Sequence, residues 1–309
     1  MSKKLLIWAP LFFCLFVGII GAASLYFFSS GAQKSALLED ARFIPFEASM
    51  AKRDPSLIPK ILAKKLHKDK HWGKIKKLYT QHILKGDPTT ACHIPKIIHQ
   101  IWLGGPLPEK YKAIQASWRK FHPDWEYRLW TDESVKEFKM QNQALFDSAV
   151  NWGEKADILR YEILNQFGGL YVDTDFECLR AFDILHHLCD FYIGLECIEQ
   201  RFQSPRMSNA LIACAPAHPL IRECINSISG DGPRDNCDLI QARTGPGLVT
   251  RVFFRFLDDT SYKNVALPST YFYPLPASER NGTFGGAIKQ TWVQDESFAI
   301  HYWDGSWIP

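Results

Sequence analysis

Asp173 and Asp175 stand two residues apart at the end of a short apolar run, Leu170-Tyr171-Val172, which itself follows the glycine pair Gly168-Gly169. Along an extended chain, side chains i and i+2 share a face and lie roughly 7 Å apart. One divalent cation can join two carboxylates so placed, directly or through water, and hard oxygen ligands suit Mg²⁺ or Mn²⁺. Such sites are usually completed by phosphate oxygens, so the pair points to a ligand that carries a diphosphate. Acidic pairs in surface turns are a common alternative. Position argues for the cation, because these carboxylates close an apolar strand and ligands of α/β sheets gather at the carboxyl ends of strands.

Two further groups could join them. Asp157, Arg160, Tyr161 and Leu164 fall at i, i+3, i+4 and i+7, on one helical face. Spacing alone favours a surface ion pair between Asp157 and Arg160, worth about 0–1 kcal/mol. Placed beside the strand that bears Asp173, the same carboxylate and guanidinium could instead grip sugar hydroxyls and phosphate oxygens, for which the planar fork of arginine is suited. The C-terminal run Phe298-Ala299-Ile300-His301-Tyr302-Trp303-Asp304-Gly305-Ser306-Trp307 is unusually aromatic for a chain end. It either caps the core or closes over a ligand, with His301 as a metal or phosphate ligand, Ser306 as a donor to phosphate and Trp307 as an indole N–H donor.

The elements that must position these groups alternate between strand and helix. Pro95–Trp102 reads as a first buried strand ended by Leu103-Gly104-Gly105-Pro106, and Glu109–Phe121 as a helix. Glu126–Trp130 reads as a second strand, and Thr131-Asp132 as the cap of a helix over Glu133–Val150. The helix, glycine pair and strand that carry Asp157 to Asp173 follow. Further on, Phe191–Leu195 reads as a strand, Pro219–Ser229 as a helix, and Cys237–Leu257 as a helix broken near Gly245-Pro246-Gly247. This order predicts an α/β domain with a mostly parallel central sheet. The region Glu196–Asn209 and that around Tyr271-Phe272-Tyr273-Pro274 are candidate walls for a second substrate, and His186-His187 reads as a surface turn.

At 309 residues, 46% hydrophobic and 14% aromatic, the chain can bury a sizeable core, and a formal charge of +3 is too small to suggest nucleic-acid binding. Lys3-Lys4 precedes an uncharged, mostly apolar stretch, Leu5 to Phe28, long enough to cross a hydrocarbon core of about 30 Å. We read residues 1–28 as a cytoplasmic tail and transmembrane signal-anchor, with a cleaved signal peptide as the alternative. Residues 29–92 read as a basic stem, rich in lysine between Lys60 and Lys85, forming a solvated stalk or a helix on anionic lipid. Residues 93–309 form the remaining domain. This makes a single-pass membrane protein, of Golgi or ER type in a eukaryote and of the cell membrane in a bacterium. The eight cysteines show no CxxC spacing, and one sequon occurs at Asn281-Gly282-Thr283.

Four segments, in order, resemble the DXD-motif glycosyltransferase sugar-binding family. They are Ile94-Pro95-Lys96-Ile97-Ile98-His99-Gln100-Ile101-Trp102-Leu103-Gly104, Ala156-Asp157 through Thr174-Asp175, Thr244-Gly245-Pro246, and His301 through Trp307. That family includes fungal mannosyltransferases that start N-glycan outer chains or mannosylate inositol phosphoceramide, and the glucosylating domains of clostridial toxins are more distantly similar. The resemblance implies a GT-A nucleotide-sugar-binding domain and a retaining transfer of a hexose, mannose favoured, from GDP-mannose or a UDP-hexose to a lipid or glycan acceptor. It implies that Trp102 stacks on the base, that Asp157 and Arg160 contact the donor sugar, and that Ser306 and Trp307 hold the diphosphate. Asp173 would reach the ribose, metal or sugar side, and Asp175 would bind Mn²⁺ or Mg²⁺ directly, with His301 as a further ligand. The rivals are a membrane-anchored metal-dependent phosphoesterase and a non-catalytic sugar-binding protein.

Overall fold

The computed structural model describes residues 38, 41–51, 68–196, 204–231, 236–280 and 282–307. The expected anchor over Leu5–Phe28 lies outside the described residues, among which no helix is long and apolar enough to cross a membrane. The chain divides into two units, Met1–Arg42 and Phe43–Pro309.

The second unit is built on a six-stranded sheet. Strand β1 (Ile97–Ile101) lies between β2 (Glu126–Trp130) and β3 (Gly169–Val172), parallel to both. Beyond β3 come the fully buried strand Met207–Cys214 (β6), then Phe191–Leu195 (β5) and Asn264–Leu267 (β7). β6 runs antiparallel to β3 and β5, while β5 and β7 are parallel, so the sheet is mostly parallel as the sequence predicts. A second sheet of two short strands pairs β4 (Phe176–Cys178) antiparallel to β8 (Ala299–His301), with Phe176 opposite His301.

The helices follow in chain order as α1 (Phe46–Ala51), α2 (Lys70–Tyr79), α3 (Lys112–Phe121), α4 (Asp132–Val135), α5 (Gln143–Ser148) and α6 (Trp152–Phe167). After them come α7 (Asp183–Leu188), α8 (Pro219–Ser227), α9 (Cys237–Arg243), α10 (Pro246–Arg255) and α11 (Gly286–Trp292). α6 is the element that matters most for the cleft. The Asn151 side chain accepts from the Gly153 and Glu154 amides at 2.8 and 3.3 Å, which caps its first turn. Nine of its residues are buried, including Asp157 and Arg160. The helix ends at Gly168, at φ +62°, where a Cβ would lie 2.7 Å from Pro216 and 2.8 Å from the Cys214 carbonyl oxygen. Glycine therefore lets the chain turn directly from α6 into the middle of the sheet.

Several sequence expectations change. The single helix over Glu133–Val150 is two short ones, α4 and α5, because the segment between them is tied to the body. The Asn142 amide donates to Glu162 Oε1 at 2.9 Å and its side-chain amide to the Ile225 carbonyl at 3.0 Å. β6 has no counterpart among the expected strands. His186 is fully buried against Trp125 and Tyr192 rather than in a surface turn. Tyr271, Phe272 and Tyr273 are core residues, not walls of the cleft. Parts of the stem region also depart from a solvated stalk: Phe46, Trp72, Ile75 and Tyr79 are buried within the second unit, and only the lysine face of α2 is exposed.

Candidate active site

A cleft of about 890 Å³ opens at the carboxyl ends of β1 and β3. Trp102, Asp157, Arg160, Asp173, Asp175, His301, Ser306 and Trp307 all line it, so these eight candidates share one space. Of the candidate wall Glu196–Asn209, Glu196, Arg206, Ser208 and Asn209 line it as well. Trp102 leaves the end of β1 with its amide on the Trp130 carbonyl at 2.9 Å and its ring 5.0 Å from Tyr111. Trp307 is held against the start of α6. The Asn151 side-chain amide donates to its carbonyl at 3.1 Å, and its indole lies so close to Gly153 that a Cβ there would approach within 2.6 Å.

One bank of the cleft is formed by α6 and β6. Asp157 Oδ1 accepts from the Asn209 side-chain amide at 2.7 Å and pairs with Arg160 Nη2 at 3.0 Å, while Oδ2 accepts from Thr244 Oγ1 at 2.9 Å. The pair is not a surface ion pair, since Asp157 is 8% exposed and Arg160 4%. Burial raises the Asp157 pKa, against the opposing pull of Arg160, Asn209 and Thr244. The Arg160 guanidinium is distributed over several partners. It donates to the Asn209 carbonyl at 2.7 Å and to the Ala156 carbonyl at 3.2 Å, pairs with Asp173 Oδ1 at 3.3 Å, and sits 4.5 Å from the Tyr171 ring centroid. Tyr161 completes this bank by donating to the Thr244 carbonyl at 2.9 Å.

The other bank is the turn after β3 and the C-terminal segment. The Asp173 amide donates to the Ala210 carbonyl at 2.9 Å, extending the β3–β6 ladder by one step. Its Oδ1 accepts from the Tyr171 hydroxyl at 2.6 Å. Asp175 Oδ1 lies 3.0 Å from His301 Nε2, and Oδ2 accepts from the Asp304 amide at 2.8 Å. The backbone reaches that position through Trp303 at φ +55°, a conformation costing about 1–3 kcal/mol in a non-glycine residue. Trp303 is locked there by its indole N–H on the Leu275 carbonyl at 2.8 Å. Asp304 in turn accepts from Lys110 at 2.7 Å and from the Tyr111 hydroxyl.

The two aspartates of the turn are tuned apart. For Asp173, burial outweighs the attraction of Arg160 and, with the nearby charge of Asp175, raises its pKa. For Asp175, burial also favours the neutral form, but the His301 charge and hydrogen bond and the Asp304 amide prevail, and its pKa is lowered. Asp173, Asp175 and His301 each present one donor atom within 4.8 Å of the others. Two carboxylates and an imidazole, all lining one cleft, are a donor set that fits a divalent cation. The buried His301 Nδ1 has no hydrogen-bond partner among the described residues.

Sequence reasoning gives no individual role to Asn209, Thr244, Tyr171 or Asp304, although Asn209 closes the candidate wall Glu196–Asn209 and Thr244 and Asp304 lie in segments that carry the resemblance. Tyr171 carries a signal, since it shares a strand face with Asp173. The bonds of Asn209 to Asp157 and of Asp304 to Asp175 carry no such signal, because they are long-range contacts that no local pattern records.

Comparison with known proteins bears on the same span. The chain is 37% identical over 142 residues to inositol phosphoceramide mannosyltransferase 3 of Schizosaccharomyces pombe, covering 45% of this chain and 38% of that protein. It is 33% identical over 156 residues to inositol phosphoceramide mannosyltransferase 2 of the same organism, covering 49% and 42%. The matches thus span about two fifths of the length of these curated relatives. Among solved structures, the PaToxG glycosyltransferase aligns at 17% identity with a TM-score of 0.42, covering 59% of this chain and 77% of that chain. Residues 108–190 match a family model described as a glycosyltransferase sugar-binding region containing a DXD motif. The span that holds Asp157, Arg160, Asp173 and Asp175 is therefore similar to the glycosyltransferase sugar-binding region of the DXD-motif family.

Proposed function

We propose that the chain is a retaining, cation-dependent glycosyltransferase with a GT-A type domain, which moves a hexose from a nucleotide sugar to a lipid-borne or glycan acceptor. The observation that carries this reading is the convergence of Asp173, Asp175 and His301 on one side of a cleft whose other side holds the buried Asp157–Arg160 pair. Mannose as the sugar rests on the names of the relatives, and the donor is GDP-mannose or a UDP-hexose. A lipid acceptor is favoured by those names and by Trp152, a cleft-lining residue that is 48% exposed, with Val150, 72% exposed, two residues before it. The apolar stretch Leu5–Phe28 would anchor the domain to the membrane that carries such an acceptor.

In this reading Trp102 stacks on the base, Asp157 and Arg160 orient the sugar, and Ser306 and Trp307 donate to the diphosphate. Asp173, Asp175 and His301 would hold Mn²⁺, or Mg²⁺, which offsets the charge that develops on the departing nucleoside diphosphate. Retention through a covalent intermediate needs a carboxylate nucleophile at about 5 Å from its partner. Among the described cleft carboxylates none is spare: Asp157 is bonded through both oxygens, Glu196 pairs with Arg206 at 3.2 Å, and Asp173 and Asp175 belong to the cation group. Attack by the acceptor hydroxyl on the face the leaving group departs from is then the more economical route.

The test is to incubate the full chain with Mn²⁺ and, separately, GDP-mannose, UDP-glucose, UDP-galactose and UDP-N-acetylglucosamine, measuring nucleoside diphosphate release. Turnover of one donor that EDTA abolishes is the expected result. Binding of Mn²⁺ with no turnover of any donor, even when an inositol phosphoceramide acceptor is supplied, would contradict the transferase reading.

A further inference from the structure

The stem region supplies buried hydrogen bonds to the segment that delivers His301. The Tyr79 hydroxyl donates to the Ile44 carbonyl at 2.6 Å, and the Ile44 amide donates to the Tyr271 hydroxyl at 3.0 Å. The two tyrosine oxygens are 2.7 Å apart. Tyr79 has one hydroxyl proton and has given it to Ile44, so Tyr271 is the donor between them. The same logic orders a second chain. Thr270 Oγ1 donates to Glu296 Oε1 at 2.8 Å, so Ser49 Oγ donates to Thr270. Ser49, Thr270 and Glu296 are fully buried. Met50 Sδ accepts from both the amide and the hydroxyl of Ser269, at 3.5 and 3.6 Å. Ser269, Thr270 and Tyr271 are thus each held by a residue between Ile44 and Tyr79.

That turn is bonded directly to the approach to β8. Ser297 Oγ donates to the Thr270 carbonyl at 2.6 Å, and the Phe298 amide donates to the Tyr271 carbonyl at 2.8 Å. β8 begins at the next residue and ends on His301. Its three residues pair with β4 alone, and an isolated two-stranded pairing of that length is marginal in stability. Something else must fix its register, and the contacts of Ser297 and Phe298 with the turn are placed to do so.

We propose that Ile44, Ser49, Met50 and Tyr79 form a positioning brace for the cation site. They hold the Ser269–Tyr271 turn and, through it, the Glu296–Phe298 segment, which keeps His301 beside Asp175. This rests on the reading of Asp173, Asp175 and His301 as a cation site. It also means that a fragment starting near residue 90 lacks the brace, although it keeps every cleft residue.

The experiment uses the full chain without any nucleotide sugar, and reads Mn²⁺ affinity by the electron paramagnetic resonance of free Mn²⁺ together with amide exchange. The variants are Tyr79→Phe, Ser49→Ala and the hydroxyl-preserving Ser49→Thr, with Ile163→Val as a core variant remote from the brace. Tyr79→Phe and Ser49→Ala are expected to weaken Mn²⁺ binding by about 3- to 10-fold, below the range typical of partners that touch a ligand directly. Exchange at the His301 and Tyr302 amides should accelerate while β6 is unchanged. Ser49→Thr should restore both readouts, and Ile163→Val should lower thermal stability without moving Mn²⁺ affinity. If the brace variants merely lower thermal stability, as Ile163→Val does, the brace is overturned. If the wild-type chain binds no Mn²⁺, the cation reading itself fails and the brace with it.

Discussion

Asp157 and Asp173 both pair with the Arg160 guanidinium, yet the chain treats them differently. Asp157 accepts from Asn209, Arg160 and Thr244 through both of its oxygens. Asp173 accepts from Tyr171 and Arg160 through Oδ1 alone, and its Oδ2 has no partner among the described residues. Its side chain is 29% exposed against 11% for Asp157. A carboxylate offers about four acceptor sites, so the first is nearly filled by protein and the second is half open. The bank on α6 and β6 is built to keep its shape, and the bank after β3 is built to receive something.

The largest effect should come from the open bank. Asp175→Asn is expected to lower Mn²⁺ affinity and donor turnover by about 100-fold or more, measured by isothermal titration and nucleoside diphosphate release. The closed bank should fail differently. Arg160→Ala takes the guanidinium from the buried Asp157 and the half-buried Asp173 and should cost about 3–5 kcal/mol in a urea titration. Arg160→Lys should recover only part of that, since an ammonium cannot span the same partners. If Arg160→Ala proves neutral to stability, the contrast between the banks is wrong.

A pH titration sharpens the same contrast through His99, which anchors the turn out of α6. Its Nε2 lies 3.0 Å from the Gly168 carbonyl and its Nδ1 accepts from the Trp130 indole at 3.2 Å. Burial lowers its pKa from 6.5 to about 4. The folded state therefore favours the neutral ring. Its contribution is fully present above pH 6.5 and is lost as pH falls towards 4, by about 3 kcal/mol. Asp157 and Asp173, whose pKa values are raised, carry the opposite sign: their ionisation opposes folding and acid relieves it. The urea midpoint should drop between pH 6.5 and 4, and His99→Gln should flatten that drop. The smallest effect is expected from Asn209→Ala, about 1–3 kcal/mol for one buried hydrogen bond to a carboxylate. It should leave Mn²⁺ affinity within a few-fold of wild type, and a larger loss would mean that the two banks act as one.

Much of the cleft floor is legible in the sequence. The helix, the glycine stop and the strand that leads to Asp173 all follow local rules, and they bring Asp157, Arg160, Asp173 and Asp175 to the cleft. β6 is not legible, because a strand buried on both faces has no alternation to read. Missing it hides the hydrogen bond of Asn209 to Asp157. The two helices in place of one over Glu133–Val150 arise from tertiary hydrogen bonds of Asn142, which periodicity cannot anticipate. The stem region misleads for another reason: its lysines dominate the composition, while Trp72, Ile75 and Tyr79, at i, i+3 and i+7, form the stripe that packs inward.

The measurement that tests the central claim most directly is a Mn²⁺ titration of the full chain beside Asp175→Asn and Asp157→Asn, with folding verified by circular dichroism. One tightly bound ion is expected in the wild type, with its loss in Asp175→Asn and its retention in Asp157→Asn. Loss in both variants alike, or in neither, would contradict the division of the cleft into a closed bank and an open one.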